Sequence, residues 1–230
     1  MKTRLLLQEL HNKSKFNDHA LYGGKIPFVF TQALENPDLD ISRVVNLVNK
    51  KIPEYLFYGI DGIYMGHLPE FDKRNINAMY NDGAIYVTNR QQDELDMFDD
   101  IVHELAHAAE RRYSDIVYGD GELELEFLKK RKMLYNVLRN YEENVPKKEF
   151  LETEFSSDFD NYLYKVVGYS KLSKYIGGIF TSNYSATSLS EYFSVNFTDY
   201  FIKDKKEIKE ICPVAYTKIK TLAELDQEGE

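Results

Sequence analysis

DELDMFDDIVHELAHAAERR, running from Asp93 to Arg112, is the stretch that decides how this chain folds. Met97, Ile101, Leu105, Ala108 and Ala109 recur at helical spacing within it, which predicts a single helix over about 93–112 with one apolar face. The helix contains His103-Glu104-Leu105-Ala106-His107. Imidazoles four residues apart sit one turn apart on the same helix face, so both can reach one ion. Tetrahedral zinc accepts two such nitrogens, and Glu104, one residue round the helix, is placed to take a proton from a water activated by that ion. A chain with five histidines produces this pattern by chance roughly once in a hundred such sequences. The surrounding helix therefore carries the remaining weight, as do Asp99 and Asp100, which are candidates to orient an imidazole.

Catalytic zinc is ordinarily held by three protein ligands with one position left open. No histidine follows His107, so the third ligand is expected to be a downstream carboxylate. Glu110, Glu142, Glu143, Glu152, Glu154 and Glu191 are the candidates, and Glu110, one turn past His107 on the same helix, is poorly placed to close a tetrahedron. Context favours Glu191, which lies among Leu189, Phe193 and Phe197, where a carboxylate needs a partner or a metal. An exposed glutamate near a helix start is the competing reading of the same position.

Outward from this helix, strand signals gather on its N-terminal side and helix signals on its C-terminal side, which predicts an α+β fold with a small mixed sheet and a mostly helical C-terminal half. Ile41, Val44, Val45 and Val48 mark a helix in the first 50 residues, a region expected to act as an N-terminal cap on a domain spanning 51–230. YLFYGIDGIYMG, Tyr55 to Gly66, is rich in aromatic and β-branched residues and predicts one long bent strand or a hairpin. After the turn Asn81-Asp82-Gly83, the segment Ala84, Ile85, Tyr86 and Val87 predicts a short strand at the edge of the sheet. An extended peptide could add to that strand as a further one, which makes those four residues the candidate substrate-binding strand.

Residues 122–142 read as a long charged helix, with Lys129, Lys130, Arg131 and Lys132 on a solvated surface. A helical insertion is expected at about 118–165. Leu189, Phe193, Phe197 and Phe201, spaced by four, predict an amphipathic helix around Glu191.

Composition bounds the function. The 230 residues carry a net charge of -9 and are 43% hydrophobic and 14% aromatic, values that belong to a folded globular chain. Acidity of this size argues against nucleic acid as a partner, because phosphate binding needs a basic face. The single cysteine, Cys212, excludes an internal disulfide. MKTRLLLQELHNK offers only three consecutive leucines, too few for a signal peptide's apolar core, and no apolar run reaches the roughly 20 residues that span a bilayer. A soluble protein is expected, cytoplasmic, virion-associated or exported by a non-classical route. The sequence leaves its oligomeric state open.

One further segment carries a family resemblance: Tyr184-Ser-Ala-Thr-Ser-Leu-Ser-Glu191-Tyr-Phe-Ser-Val-Asn-Phe197. It resembles the catalytic region of the anthrax lethal factor and Pro-Pro endopeptidase families, which are gluzincin metallopeptidases. There an active-site tyrosine lies seven residues before the ligand glutamate, and aromatics follow that glutamate as in Tyr192, Phe193 and Phe197 here. The resemblance covers about a third of the chain and implies a zincin-like catalytic domain. It also implies one zinc ion on His103, His107 and Glu191, Glu104 as general base, Tyr184 as oxyanion donor, and a protein or peptide as substrate. Val195 departs from the family, which often has an acidic residue four after the ligand glutamate, and the stretch from His107 to Tyr184 is longer than the family's. In general character, though not in any diagnostic motif, the chain is also similar to small peptidases of phage genomes. The rival class is a non-catalytic zinc-binding structural or interaction protein, such as a virion or toxin component. An intact Glu104 argues against it, since a structural zinc has no use for a base.

Overall fold

The computed structural model describes residues 15–142 and 144–225. The opening residues read above for a signal peptide, and the ligand candidate Glu143, lie outside that range. The fold is α+β and divides into two compact units, 1–108 and 109–230.

The first unit is built on a five-stranded mixed sheet with strand order β1-β2-β3-β5-β4. β1 (Lys15–Leu21) pairs antiparallel with β2 (Ile26–Phe30), β2 parallel with β3 (Gly62–Met65), β3 parallel with β5 (Ala84–Val87), and β5 antiparallel with β4 (Ala78–Asn81). Helix α1 (Ile41–Lys51) forms in the crossover from β2 to β3, because the Asp40 side chain accepts the Ser42 N–H at its start and Ile41, Val44 and Val48 share a buried face. Side chains alternate across the sheet. On β5 this gives Ala84 and Tyr86 to a small cluster with Phe71 of helix α2 (Pro69–Arg74), and Ile85 and Val87, fully buried, to the opposite face.

Two sequence expectations change here. Of Tyr55 to Gly66 only Gly62–Met65 is strand, and Glu54–Phe57 is a turn of 3-10 helix. Tyr55, Leu56 and Phe57 are buried in succession, a pattern that no half-exposed strand can satisfy, and Gly59 at φ 85° turns the chain before β3 begins.

The second correction concerns Ala84, Ile85, Tyr86 and Val87, which do not form the sheet edge. Asp82 and Gly83 both take positive φ, 48° and 84°, the signature of a two-residue hairpin that folds β4 back along β5. β5 is thereby paired on both sides, and β4 forms the edge on that side of the sheet, with β1 at the other. The Thr88 N–H donates to the Asn77 carbonyl at 2.7 Å, so the alternate pairs Ala78↔Val87 and Tyr80↔Ile85 are not hydrogen-bonded to one another. The backbone groups of Ala78 and Tyr80 therefore point away from β5, along the outer edge of the sheet.

Helix α3 (Glu94–Arg112) follows β5, with Asp93 Oδ1 accepting the N–H groups of Leu95 and Asp96 at 2.8 and 2.9 Å. The five positions predicted to be apolar are buried, together with Phe98, Val102 and Ala106. Only a narrow strip of α3, which includes His103 and His107, is left partly open.

Among its described residues the second unit is helical: α4 (Ser114–Tyr118), α5 (Glu122–Leu138), α6 (Ser157–Asn161), a π-helical stretch (Tyr162–Gly168), α7 (Tyr169–Ile176), α8 (Leu189–Ile202), α9 (Lys205–Ile211) and α10 (Pro213–Ala223). The basic run on α5 is not uniformly solvated. Lys129 and Lys132 are exposed, whereas Lys130 and Arg131 are buried, because the apolar stripe Leu123, Phe127, Leu134 and Leu138 carries positions 130 and 131 inward. Lys130 Nζ donates to the carbonyls of Ile179 and Ile211, supplying acceptors that would otherwise be lost to burial.

Helix α8 is also not amphipathic: Tyr192, Phe193, Ser194, Asn196, Phe197, Thr198, Asp199 and Tyr200 are all buried, so it runs through the interior. Cys212 is buried and its thiol is pushed up to about 11, chiefly by burial, which leaves it unreactive at neutral pH. No helix among the described residues is long and apolar enough to cross a membrane.

Candidate metal centre

α3 holds His103 and His107 one turn apart, with ring centroids 5.1 Å apart and planes at 82°. Glu191 lies in the first turn of α8, whose N-terminus is fixed by Ser188: its hydroxyl oxygen accepts the Glu191 N–H at 3.1 Å. One potential ligand atom from each of His103, His107 and Glu191 lies within 4.8 Å of the other two, close enough for one metal ion. All three residues are half-buried. Two imidazole nitrogens and a carboxylate oxygen form a donor set suited to zinc or another borderline divalent cation, and partial exposure leaves solvent access to the remaining coordination position.

Glu104 is 8% exposed, and its Oε2 accepts the Tyr80 N–H from the edge strand β4. The carboxylate of the expected general base is thus anchored by the outward-facing backbone of the strand that closes the sheet.

Tyr184 begins a short 3-10 turn, Tyr184–Ala186. Its hydroxyl is held far above the ordinary phenol range by burial first, then by the charge of Glu191 and by donating a hydrogen bond to that carboxylate. It stays a hydrogen-bond donor at any physiological pH.

The segment from Tyr184 to Glu191 is tied down by groups that the sequence reading passed over. Arg131, 1% exposed, donates through Nη1 to the carbonyls of Ala186 at 2.6 Å and Thr187 at 3.1 Å, and through Nη2 to that of Glu149. Its guanidinium lies 4.0 Å from the Phe159 ring centroid and 5.1 Å from that of Phe127. Burial pulls this guanidinium down to about 9, against the raising influence of Glu149 and Glu152. Thr187 Oγ1 donates to the Tyr184 carbonyl at 2.7 Å, and Asn183 Nδ2 donates to Ser173 Oγ at 2.8 Å.

Asp160 and Tyr169, at the two ends of the π-helical stretch, also come within electrostatic reach of Glu191. The Tyr169 hydroxyl is pushed up to about 12 by burial, then by the charges of Asp160, Tyr164 and Glu191, and the Asp160 carboxyl is raised by burial and then by Glu191. No local sequence signal points to this pair.

Of the two aspartates proposed to orient an imidazole, Asp100 accepts a hydrogen bond from Gln91 Nε2 at 2.8 Å. Burial pushes its carboxyl up to about 7 against the lowering effect of Gln91, with help from the charges of Asp96, Asp99 and Glu104. A carboxyl whose pKa is higher folded than unfolded contributes stability at acid pH, and that contribution is lost as pH rises through about 7. Asp100→Asn, whose amide oxygen can still accept from Gln91, is expected to remove this decline. In chelator-treated protein the gain above pH 7 should approach ~4 kcal/mol at most, from a shift of about three pKa units. Urea unfolding of both proteins at about pH 3.5, below the unfolded carboxyl's pKa, and at pH 8 checks it: the two should be nearly equal at the lower pH and diverge progressively up to pH 8. The chain matches no family model, no curated protein and no solved structure.

Proposed function

We propose that this chain is a zinc-dependent endopeptidase of zincin-like design, cutting peptide bonds in a protein substrate. The observation that carries the reading is the convergence of His103, His107 and Glu191, from two separate helices, to within 4.8 Å, with Glu104 between the two histidines in sequence. A carboxylate beside a two-His, one-Glu donor set is what metal-assisted hydrolysis requires and what a structural zinc site lacks.

His103, His107 and Glu191 hold the ion. Zinc bound there supplies Lewis acidity, which lowers the pKa of a coordinated water and polarises a carbonyl. Glu104 accepts the proton of the attacking water on its carboxylate, which the Tyr80 N–H keeps oriented. The same carboxylate then passes that proton to the departing amine. Tyr184 turns its O–H donor, held on Glu191 in the free protein, toward the oxygen on which charge develops. An extended peptide pairs with the outer edge of β4 through the backbone of Ala78, beside the Tyr80 N–H that Glu104 occupies, in place of the Ala84–Val87 strand expected from sequence.

Tyr184→Phe is expected to lower kcat/KM by about 100-fold while zinc content stays at one per chain, since it removes a single donor to the developing charge. Full activity in that variant would remove Tyr184 from the mechanism. The reading as a whole is tested by mass-spectrometric profiling of a peptide library incubated with zinc-loaded and with chelator-stripped protein. Cleavage that appears only with zinc supports it and gives the specificity. Tight zinc binding with no cleavage of any peptide would favour the non-catalytic zinc protein instead.

A further inference from the structure

Glu110 lies one turn beyond His107 on α3. Its Oε2 accepts a hydrogen bond from Ser190 Oγ at 2.6 Å, and its Oε1 accepts another from the Tyr118 hydroxyl. Ser190 immediately precedes Glu191, so the carboxylate grips the same helical turn that carries the third ligand. Tyr118 is largely withdrawn from solvent, and its phenol is raised by burial, by the charge of Glu110 and by this hydrogen bond. The Glu110 carboxylate is thereby fixed from one side by Tyr118 while it holds Ser190 on the other. Hydrogen bonds to an ionised carboxylate are shorter and stronger than neutral ones, so the pair resists rotation of the first turn of α8. A negative group at the start of α8 is also favoured by the helix dipole.

We infer that Glu110 is a positioning residue for the metal centre: through Ser190 it sets the direction from which the Glu191 carboxylate meets the ion. This rests on the reading that His103, His107 and Glu191 hold zinc. Glu110 itself, weighed from the sequence as a ligand, instead orders, through Ser190, a ligand that lies 81 residues further along the chain. Groups that orient metal ligands change affinity by about 10–100-fold when removed.

The test measures zinc affinity by competition with a chromophoric chelator, and records the visible absorption of the cobalt-substituted protein, for wild type, Glu110→Ala, Glu110→Gln, Ser190→Ala and the double variant Glu110→Ala/Ser190→Ala. Each alanine variant is expected to lose about 10–100-fold in zinc affinity and to shift the cobalt spectrum. The double variant should lose no more than the worse single one, because both remove the same contact. Glu110→Gln, which keeps an acceptor oxygen for Ser190, should recover most of the affinity. A purely structural role would lower the melting temperature of the chelated protein and leave the cobalt spectrum unchanged in variants that still fold. Ser190→Ala removes only one hydroxyl and keeps the test alive if Glu110→Ala fails to fold. Unchanged affinity and spectrum in the single variants, or additive losses in the double one, would overturn the inference while the zinc reading stands. A wild type that binds neither metal overturns both.

Discussion

Glu104→Gln is expected to lower peptide turnover by about 100- to 10,000-fold while leaving one zinc bound per chain. The substitution separates two roles of this side chain. Its Oε2 accepts the Tyr80 N–H of the edge strand, and glutamine offers an oxygen at the same place, so β4 keeps its anchor. What glutamine lacks is basicity, and with it the ability to take the proton of the attacking water. Glu104→Ala, by contrast, removes base and acceptor together and leaves the Tyr80 N–H without this partner, which costs about 1–3 kcal/mol of stability in addition. His107→Ala supplies the opposite pattern: zinc affinity and turnover fall together, because a ligand is gone. Metal content by mass spectrometry under native conditions, read beside turnover of one cleaved peptide, separates His107→Ala from the two Glu104 variants, and urea unfolding separates those two from each other. Glutamine at 104 with undiminished turnover would transfer the base role elsewhere.

Arg131→Ala is expected to destabilise the second unit by about 3–5 kcal/mol, and two opposing effects set that figure. Removing a charge from the interior relieves a desolvation penalty: a guanidinium drawn down to about 9 sits some three to four units below its usual value, worth about 5 kcal/mol. Against this, three backbone carbonyls, those of Ala186, Thr187 and Glu149, lose their donor. At about 1–3 kcal/mol each they offset more than half of the relief or exceed it. The side chain's packing between Phe127, Phe150 and Phe159 is lost as well, and a cavity among three rings costs a further few kcal/mol. Arg131→Lys keeps the charge but cannot reach three carbonyls in a fixed fork, so it should recover only part of the loss. Urea unfolding gives the magnitude, and hydrogen exchange at Ala186 and Thr187 shows whether the damage starts at the turn that joins Tyr184 to Glu191. Stability equal to wild type in Arg131→Ala would mean that water replaces the guanidinium at those carbonyls.

Much of the fold was written locally. The period of Met97, Ile101, Leu105 and Ala108 fixed α3 and its buried face, and Asp93 marked where it starts. Asp82-Gly83 gave the turn, but a turn signal says only that the chain reverses. Whether the strand before it or the strand after it ends up outermost depends on which one β3 joins, and parallel pairing across a long crossover leaves no local trace. On α5 the needed signal was present and misread: Leu123, Phe127, Leu134 and Leu138 define a stripe that passes through 130 and 131, yet four consecutive basic residues suggested a wet surface. Burial there is tolerated because lysine and arginine reach carbonyls at the ends of other elements, partners distant in sequence by up to 81 residues.

By itself the sequence determined the α+β class, the position of α3, and the pairing of His103 and His107 on one face with Glu104 beside them, because helical period converts spacing directly into geometry. It also narrowed the third donor to a downstream carboxylate, since no histidine remained. Only the tertiary structure decided that Glu191 comes within reach of both histidines, that β4 is the open edge and touches Glu104, and that Glu110 and Arg131 hold the Tyr184–Glu191 segment. Each of these is a contact between elements far apart in the chain, fixed by how buried carbonyls and carboxylates find partners, and no local period encodes them.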